Sequence, residues 1–192
     1  ILIIICLVGC KKGSNETTIT GEIKGLGTDT LYLYGMDELY DRIDTIYVEN
    51  DKFSYTTSVD TITSAYLLLK NRIEYPVFLD KGNKIKIKGD TINLNFLTIS
   101  GNIYNEEFTD FQKALEDPAD PSEKAGEETV DKRTTVEKAN TAEEMAEEFI
   151  LQHHSSYVSL YLLDKYFVQK ETPDFSKIKK LVEVMTGVLQ DK

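Results

Sequence analysis

The spacing of apolar residues changes period once along this chain, and that change limits what it can fold into. Up to Ser100-Gly101-Asn102 the apolar residues alternate in short runs; beyond it they recur at three and four. Period two is the signature of strands with one buried face, and 3.6 that of helices. Ile19 and Ile23, Leu31 and Leu33, Ile46 and Val48, Phe53 and Tyr55, Ala65 to Leu69, Val77 and Leu79, Ile85 and Ile87, and a last run through Leu94, Phe96 and Ile99 give eight short strands. Gly25-Leu26-Gly27, Glu49-Asn50-Asp51-Lys52 and Lys81-Gly82-Asn83 supply turn chemistry between them. The spacing predicts an antiparallel, sandwich-like β domain over 17–101, with a hairpin through Glu49–Lys52.

The remainder, 102–192, reads as helical, so the fold class is α+β. Phe108, Phe111 and Leu115 form one stripe, closed by Asp117-Pro118. Asp120-Pro121-Ser122-Glu123 is a helix start, opening a long acidic helix toward residue 152. Thr141 with Glu144 offers a second capping box, so the spacing also allows a break near 140. The 121–140 half has too few apolar residues to hold a core and is expected to project. Residues 156–168 are apolar nearly all round, which predicts the most buried helix. Pro173-Asp174 opens a last one through Ile178, Leu181, Val182, Met185 and Leu189.

The first ten residues read as an address. Ile1 to Val8 are almost wholly aliphatic, too few to span a bilayer, which takes about 20 residues. They fit the end of a signal-peptide apolar region. Leu7-Val8-Gly9-Cys10 resembles the bacterial lipobox, in which the cysteine thiol takes a diacylglyceryl group and cleavage precedes it. Cys10 is then the lipidation site, and 11–16 (Lys-Lys-Gly-Ser-Asn-Glu) a polar tether. The competing reading is a buried first strand. The lipobox implies a cell-envelope protein, periplasmic or surface-facing. Lys11 after the cysteine favours the outer membrane over the inner.

Charge excludes other classes. The chain has 22 basic and 33 acidic residues, net −11. The 17–101 segment carries 12 acids and 9 bases, 102–152 carries 15 and 5, and 153–192 carries 5 and 6. Such a chain repels phosphates, so nucleic acid is not an expected partner. The two cysteines, Cys6 and Cys10, make no C-x-x-C pair and no disulfide framework.

Several segments together resemble the N-terminal domain of unknown function carried by lipid-anchored TlpA/ResA-like (AhpC/TSA-related) thiol-disulfide oxidoreductases of the bacterial envelope. They are the Gly-x-Ile-x-Gly run Gly21 to Gly25, read as the opening of a strand pair, Val48 to Phe53, Phe78 to Ile85 and the helix entry Ser100-Gly101-Asn102. The most specific is Phe149-Ile150-Leu151-Gln152-His153-His154-Ser155-Ser156-Tyr157-Val158-Ser159, similar to the family's F-I-x-x-H-P-x-S-x-V-S. His154 departs from it, standing where the family has Pro. The resemblance implies a non-catalytic accessory domain, with the thioredoxin domain of such proteins beginning after residue 192. The chain is then either a piece of a longer redox protein or a stand-alone module. A protein partner or a thioredoxin-like domain, besides the membrane, is the implied contact.

The residues suggest no catalytic group, cofactor or metal site. Adjacent His153 and His154 would project about 100° apart on a helix, so the expected role of one is to face the helix-end carbonyls. Glu127, Glu128, Glu143, Glu144, Glu147 and Glu148 lack a calcium-loop pattern and read as a solvated face. No nucleophile-elbow or phosphate-loop motif is present. Tyr32, Tyr34, Tyr40, Tyr47, Tyr55 and Tyr66 crowd the β segment. They support an alternative function, carbohydrate or peptide binding on a tyrosine-bearing sheet.

Overall fold

A computed structural model describes residues 15–35, 38–116, 135–185 and 189. The chain divides into two compact units, residues 1–102 and 103–192.

Among the described residues the first unit holds eight strands: β1 (Glu16–Lys24), β2 (Asp29–Gly35), β3 (Ile43–Val48), β4 (Lys52–Ser58), β5 (Thr63–Leu68), β6 (Glu74–Leu79), β7 (Lys84–Asp90) and β8 (Thr98–Ser100). They form two four-stranded sheets, ordered β4-β1-β7-β8 and β3-β2-β5-β6. The alternating apolar residues line the space between them. Ile19, Leu31, Leu33, Leu67, Val77 and Ile85 are fully buried. Burying each such side chain contributes roughly 1.5–3 kcal/mol.

Three local readings change. The predicted Gly21 to Gly25 strand pair does not form, because β1 and β2 lie in different sheets. Gly25 and Gly27 take φ of 78° and 71° and carry the chain across, conformations open to glycine at little cost. The predicted hairpin also crosses between sheets. Asn50 and Asp51 have positive φ and make the turn, but only Glu49 and Lys52 bridge across it. Beyond that bridge β3 pairs with β2, and β4 with β1. The third change is that one ladder, β1 with β7, is parallel; the other five are antiparallel. A parallel partner needs a long crossover, and the excursion through β2–β6 supplies it. The last strand is short: Leu94 and Phe96 lie in the turn before β8, where Leu94 and Leu97 are buried.

The second unit holds α1 (Ile103–Glu116), α2 (Thr135–Gln152), α3 (Tyr157–Leu163), a π-helical turn (Asp164–Val168) and α4 (Phe175–Val184). α2 runs unbroken through Thr141, so that capping box is unused. The projecting 121–140 half of the expected long helix falls largely outside the described residues. In the 156–168 stretch Val158, Ser159, Tyr161, Leu162, Leu163 and Phe167 are buried. Phe108 stacks edge-on to Tyr161 at 5.3 Å and Phe111 edge-on to Phe149 at 5.8 Å, so aromatic rings fill the seams between α1, α2 and α3. Asp174 caps α4 by accepting from Ser176 N at 2.9 Å and Lys177 N at 3.1 Å.

Candidate functional site

The tyrosines separate into two groups. Alternation sends Tyr32 and Tyr34 of β2, Tyr47 of β3 and Tyr66 of β5 to the outer face of the β3-β2-β5-β6 sheet. Register sets Tyr34 between Ile43 and Tyr66, and Tyr32 between Thr45 and Leu68. The Tyr34 and Tyr66 rings lie 5.8 Å apart. Burial and a hydrogen bond to Glu74 hold the Tyr34 phenol well above its usual range. Exposure rises toward the edge strand: Tyr32 is 40% exposed, and Ile43 and Tyr47 are each 73% exposed.

Tyr40 and Tyr55 are not part of that face. Tyr40 is buried and donates to Asp44 Oδ2, and its ring sits 4.8 Å below the Arg42 guanidinium. Arg42 pairs with Asp44 at 3.1 Å, donates to Thr57 Oγ1 and reaches Ser58 O at 3.1 Å. Asp44 is on β3 and Thr57 on β4, so these groups staple the two sheets where their strands have parted. Burial, and then Asp44 accepting its proton, push the Tyr40 phenol up to about 12. A phenol held neutral this firmly is a structural donor.

The outer face of the β4-β1-β7-β8 sheet is polar. Lys84, Lys86 and Lys88 alternate with the core residues Ile85 and Ile87, so all three lysines point outward and are exposed. Register places Thr18, Thr20 and Glu22 of β1 beside them. At the far end of β7 a cleft of about 500 Å³ is lined by Glu22, Lys24, Lys88, Asp90, Asn93, Phe96 and Thr98. Phe96, half-buried, is the aromatic residue of this lining and stands among hydrogen-bonding side chains.

In the helical unit the His-Ser motif builds the corner between α2 and α3. His153 N–H donates to Phe149 O at 2.8 Å, and its ring stacks on Phe149 at 4.0 Å with Nδ1 3.1 Å from the same carbonyl. Ser156 Oγ donates to Glu107 and accepts from Val158 N. Ser159 Oγ donates to His153 O at 2.7 Å. The polar side chains of His153, Ser156 and Ser159 are thus engaged in the corner, and His154 is exposed. Of the glutamate face, Glu144 and Glu148 are exposed as expected, whereas Glu143 and Glu147 are half-buried and paired. Glu143 pairs with Lys170 at 2.6 Å, and Lys177 lies 2.8 Å from Glu147 and 3.6 Å from Glu143. The Lys170 ammonium holds the Glu143 carboxyl below its usual range. Glu127 and Glu128 lie outside the described residues, as do Leu7, Val8, Gly9 and Cys10. Among the described residues no group of three or more His, Cys, Asp or Glu is placed to hold a metal ion, and no helix is long and apolar enough to cross a membrane.

The lysine row and the cleft were not singled out from the sequence. The signal was present as Lys84-Ile85-Lys86-Ile87-Lys88, a strand with one apolar and one cationic face.

The fold defines an α+β protein whose β-sandwich precedes a helical unit. Residues 17–108 match the model of a family described as Domain of unknown function (DUF4369), which spans the sandwich and the start of α1. No curated protein and no solved structure matches the chain.

Proposed function

We propose that the chain is a lipid-anchored envelope lipoprotein, tethered through Cys10, whose globular part is a non-catalytic interaction module. In this reading it resembles the N-terminal accessory domain of TlpA/ResA-like thiol-disulfide oxidoreductases. It serves a thioredoxin-like domain or a separate protein partner in the periplasm or at the cell surface. One observation carries the interaction role: the outer row Ile43, Tyr47 and Tyr32 on an edge of the sandwich. Exposed aromatic and aliphatic side chains grouped on a regular surface favour a protein contact. A photo-crosslinking amino acid in place of Tyr47 tests this in intact cells. A discrete protein adduct is expected from position 47 and none from Glu144 on α2. Equal labelling at both positions, or none at 47, contradicts the module.

The cleft favours a second reading, a stand-alone binder of carbohydrate or peptide. Phe96 beside Asn93 and Thr98 pairs a ring with hydrogen-bonding groups, as small polar ligands require. Saturation-transfer NMR against a panel of oligosaccharides and short peptides tests it. Signal transfer that disappears with Phe96→Ala supports this reading.

A further inference from the structure

We propose that the outer face of the β4-β1-β7-β8 sheet docks onto anionic phospholipid headgroups of the membrane that holds the chain; the choice of membrane rests on the lipid-anchor reading above. The argument starts from the lysine row. Lys84, Lys86 and Lys88 stand on one side of β7, spaced two residues apart, which spreads them over roughly 13 Å of flat strand. Around Lys84 and Lys86 the neighbours on this face are hydroxyls: Thr18 and Thr20 on β1 and Ser100 on β8. Two of the carboxylates of the face sit apart from that end: Glu22 lies between Lys52 and Lys88, and Asp90 beside Lys24, while Glu16, at the head of β1, lies two residues before Thr18 at the same end as Lys84. The net charge of the chain does not cancel the row, because salt screens charges more than about 8–10 Å away.

Position selects lipid over an acidic protein. Thr18 pairs with Lys84, so the cationic end of the face is the end at which the chain enters β1. Only residues 11–15 separate Cys10 from Glu16, the first residue of that strand, a reach of about 20 Å at full extension. A lipid on Cys10 therefore holds Lys84 and Lys86 within reach of the headgroups. At the other end the turn bordering this face carries Ile92, 92% exposed, a side chain that the interfacial zone of a bilayer accepts. A lipid chain with a basic patch is the two-signal arrangement that makes anchoring stable.

The test uses unlipidated protein beginning at Lys11, which retains every described residue, so binding is read independently of acylation. Cosedimentation compares vesicles of phosphatidylcholine alone with vesicles that also contain phosphatidylglycerol. The protein should bind the anionic vesicles preferentially and release with added salt. Replacing Lys84, Lys86 and Lys88 together by Gln should weaken that binding by at least about tenfold. The singles K84Q and K86Q, at exposed positions that leave the core untouched, should each take part of the loss. A control with Lys113, Lys179 and Lys180 replaced by Gln changes net charge equally and should bind as the wild type does. Equal binding by the row variant and the wild type overturns the proposal. So does binding that ignores phosphatidylglycerol, or retention on a polyglutamate resin without vesicle binding. Vesicle binding that persists while Cys10 proves unacylated would remove the anchor and leave the headgroup face standing.

Discussion

Gly21 is the position at which the sandwich can be tested most sharply. It faces Phe53 across the β1–β4 ladder, and a Cβ there would lie 2.1 Å from the tip of the Phe53 ring and under 3 Å from two further ring atoms. Phe53 is 6% exposed, so the ring has little room to retreat. Gly21→Ala should therefore destabilise by about 1–3 kcal/mol, the usual cost of overpacking. Phe53→Ala alone should cost about 3–5 kcal/mol, because a large ring leaves the core. In that background the obstruction is gone, and Gly21→Ala should be neutral or gain about 0.5–1 kcal/mol from the lower backbone entropy of alanine in a strand. The two changes are thus strongly non-additive. Urea unfolding followed by far-ultraviolet circular dichroism closes the cycle; the chain has no Trp. An equal cost for Gly21→Ala in both backgrounds would refute the idea that the glycine exists to seat the ring.

Three further outcomes follow from the same contacts. With its phenol pushed up to about 12, Tyr40 keeps its proton in the folded chain where the unfolded chain, with an ordinary value near 10, loses it. Its contribution is complete below pH 10 and disappears as pH rises toward 12. Tyr40→Phe should flatten that part of the stability–pH profile; an unchanged slope would contradict the assignment. Asp174→Ala removes the acceptor for two backbone donors of α4 and should cost about 1 kcal/mol by urea unfolding, with Asp174→Ser largely restoring it. Protein beginning at Lys11 carries no cysteine, and thiol-disulfide exchange needs an attacking thiolate. It should therefore not accelerate insulin reduction by dithiothreitol, and turnover above the protein-free rate would contradict this.

The sequence carried the elements better than their partners. Ile85 and Ile87 alternate whether their strand is paired parallel or antiparallel, so the β1–β7 ladder left no local trace. The Glu49–Lys52 turn was readable because Asn and Asp tolerate positive φ. Nothing in it records that β3 and β4 leave for different sheets after one bridge; that is decided by long-range pairing with β2 and β1. The helical unit was more legible, since a 3.6-residue stripe and a cap such as Asp174 are local. Among candidate sites, alternation placed Tyr32 and Tyr34 outward. It could not separate them from Tyr55, whose register opposite Ile19 turns it inward, or from Tyr40, which its Asp44 contact buries. Glu143 and Glu147 looked solvated because Lys170 and Lys177 lie more than twenty residues away. The His153–Ser159 motif was visible as a pattern, but its role as a hydrogen-bonded corner emerges only when His153, Ser156 and Glu107 meet.

Acylation at Cys10 is the central claim, because the proposed location and the choice of membrane both depend on it. Cells expressing the protein from its own gene can be fed an alkyne analogue of palmitate, and the protein then isolated and conjugated to a fluorophore. Labelled protein in the membrane fraction is expected for the wild type, with the label lost in Cys10→Ala and kept in Cys6→Ala. Label that survives Cys10→Ala, or wild-type protein that carries none, would contradict the account.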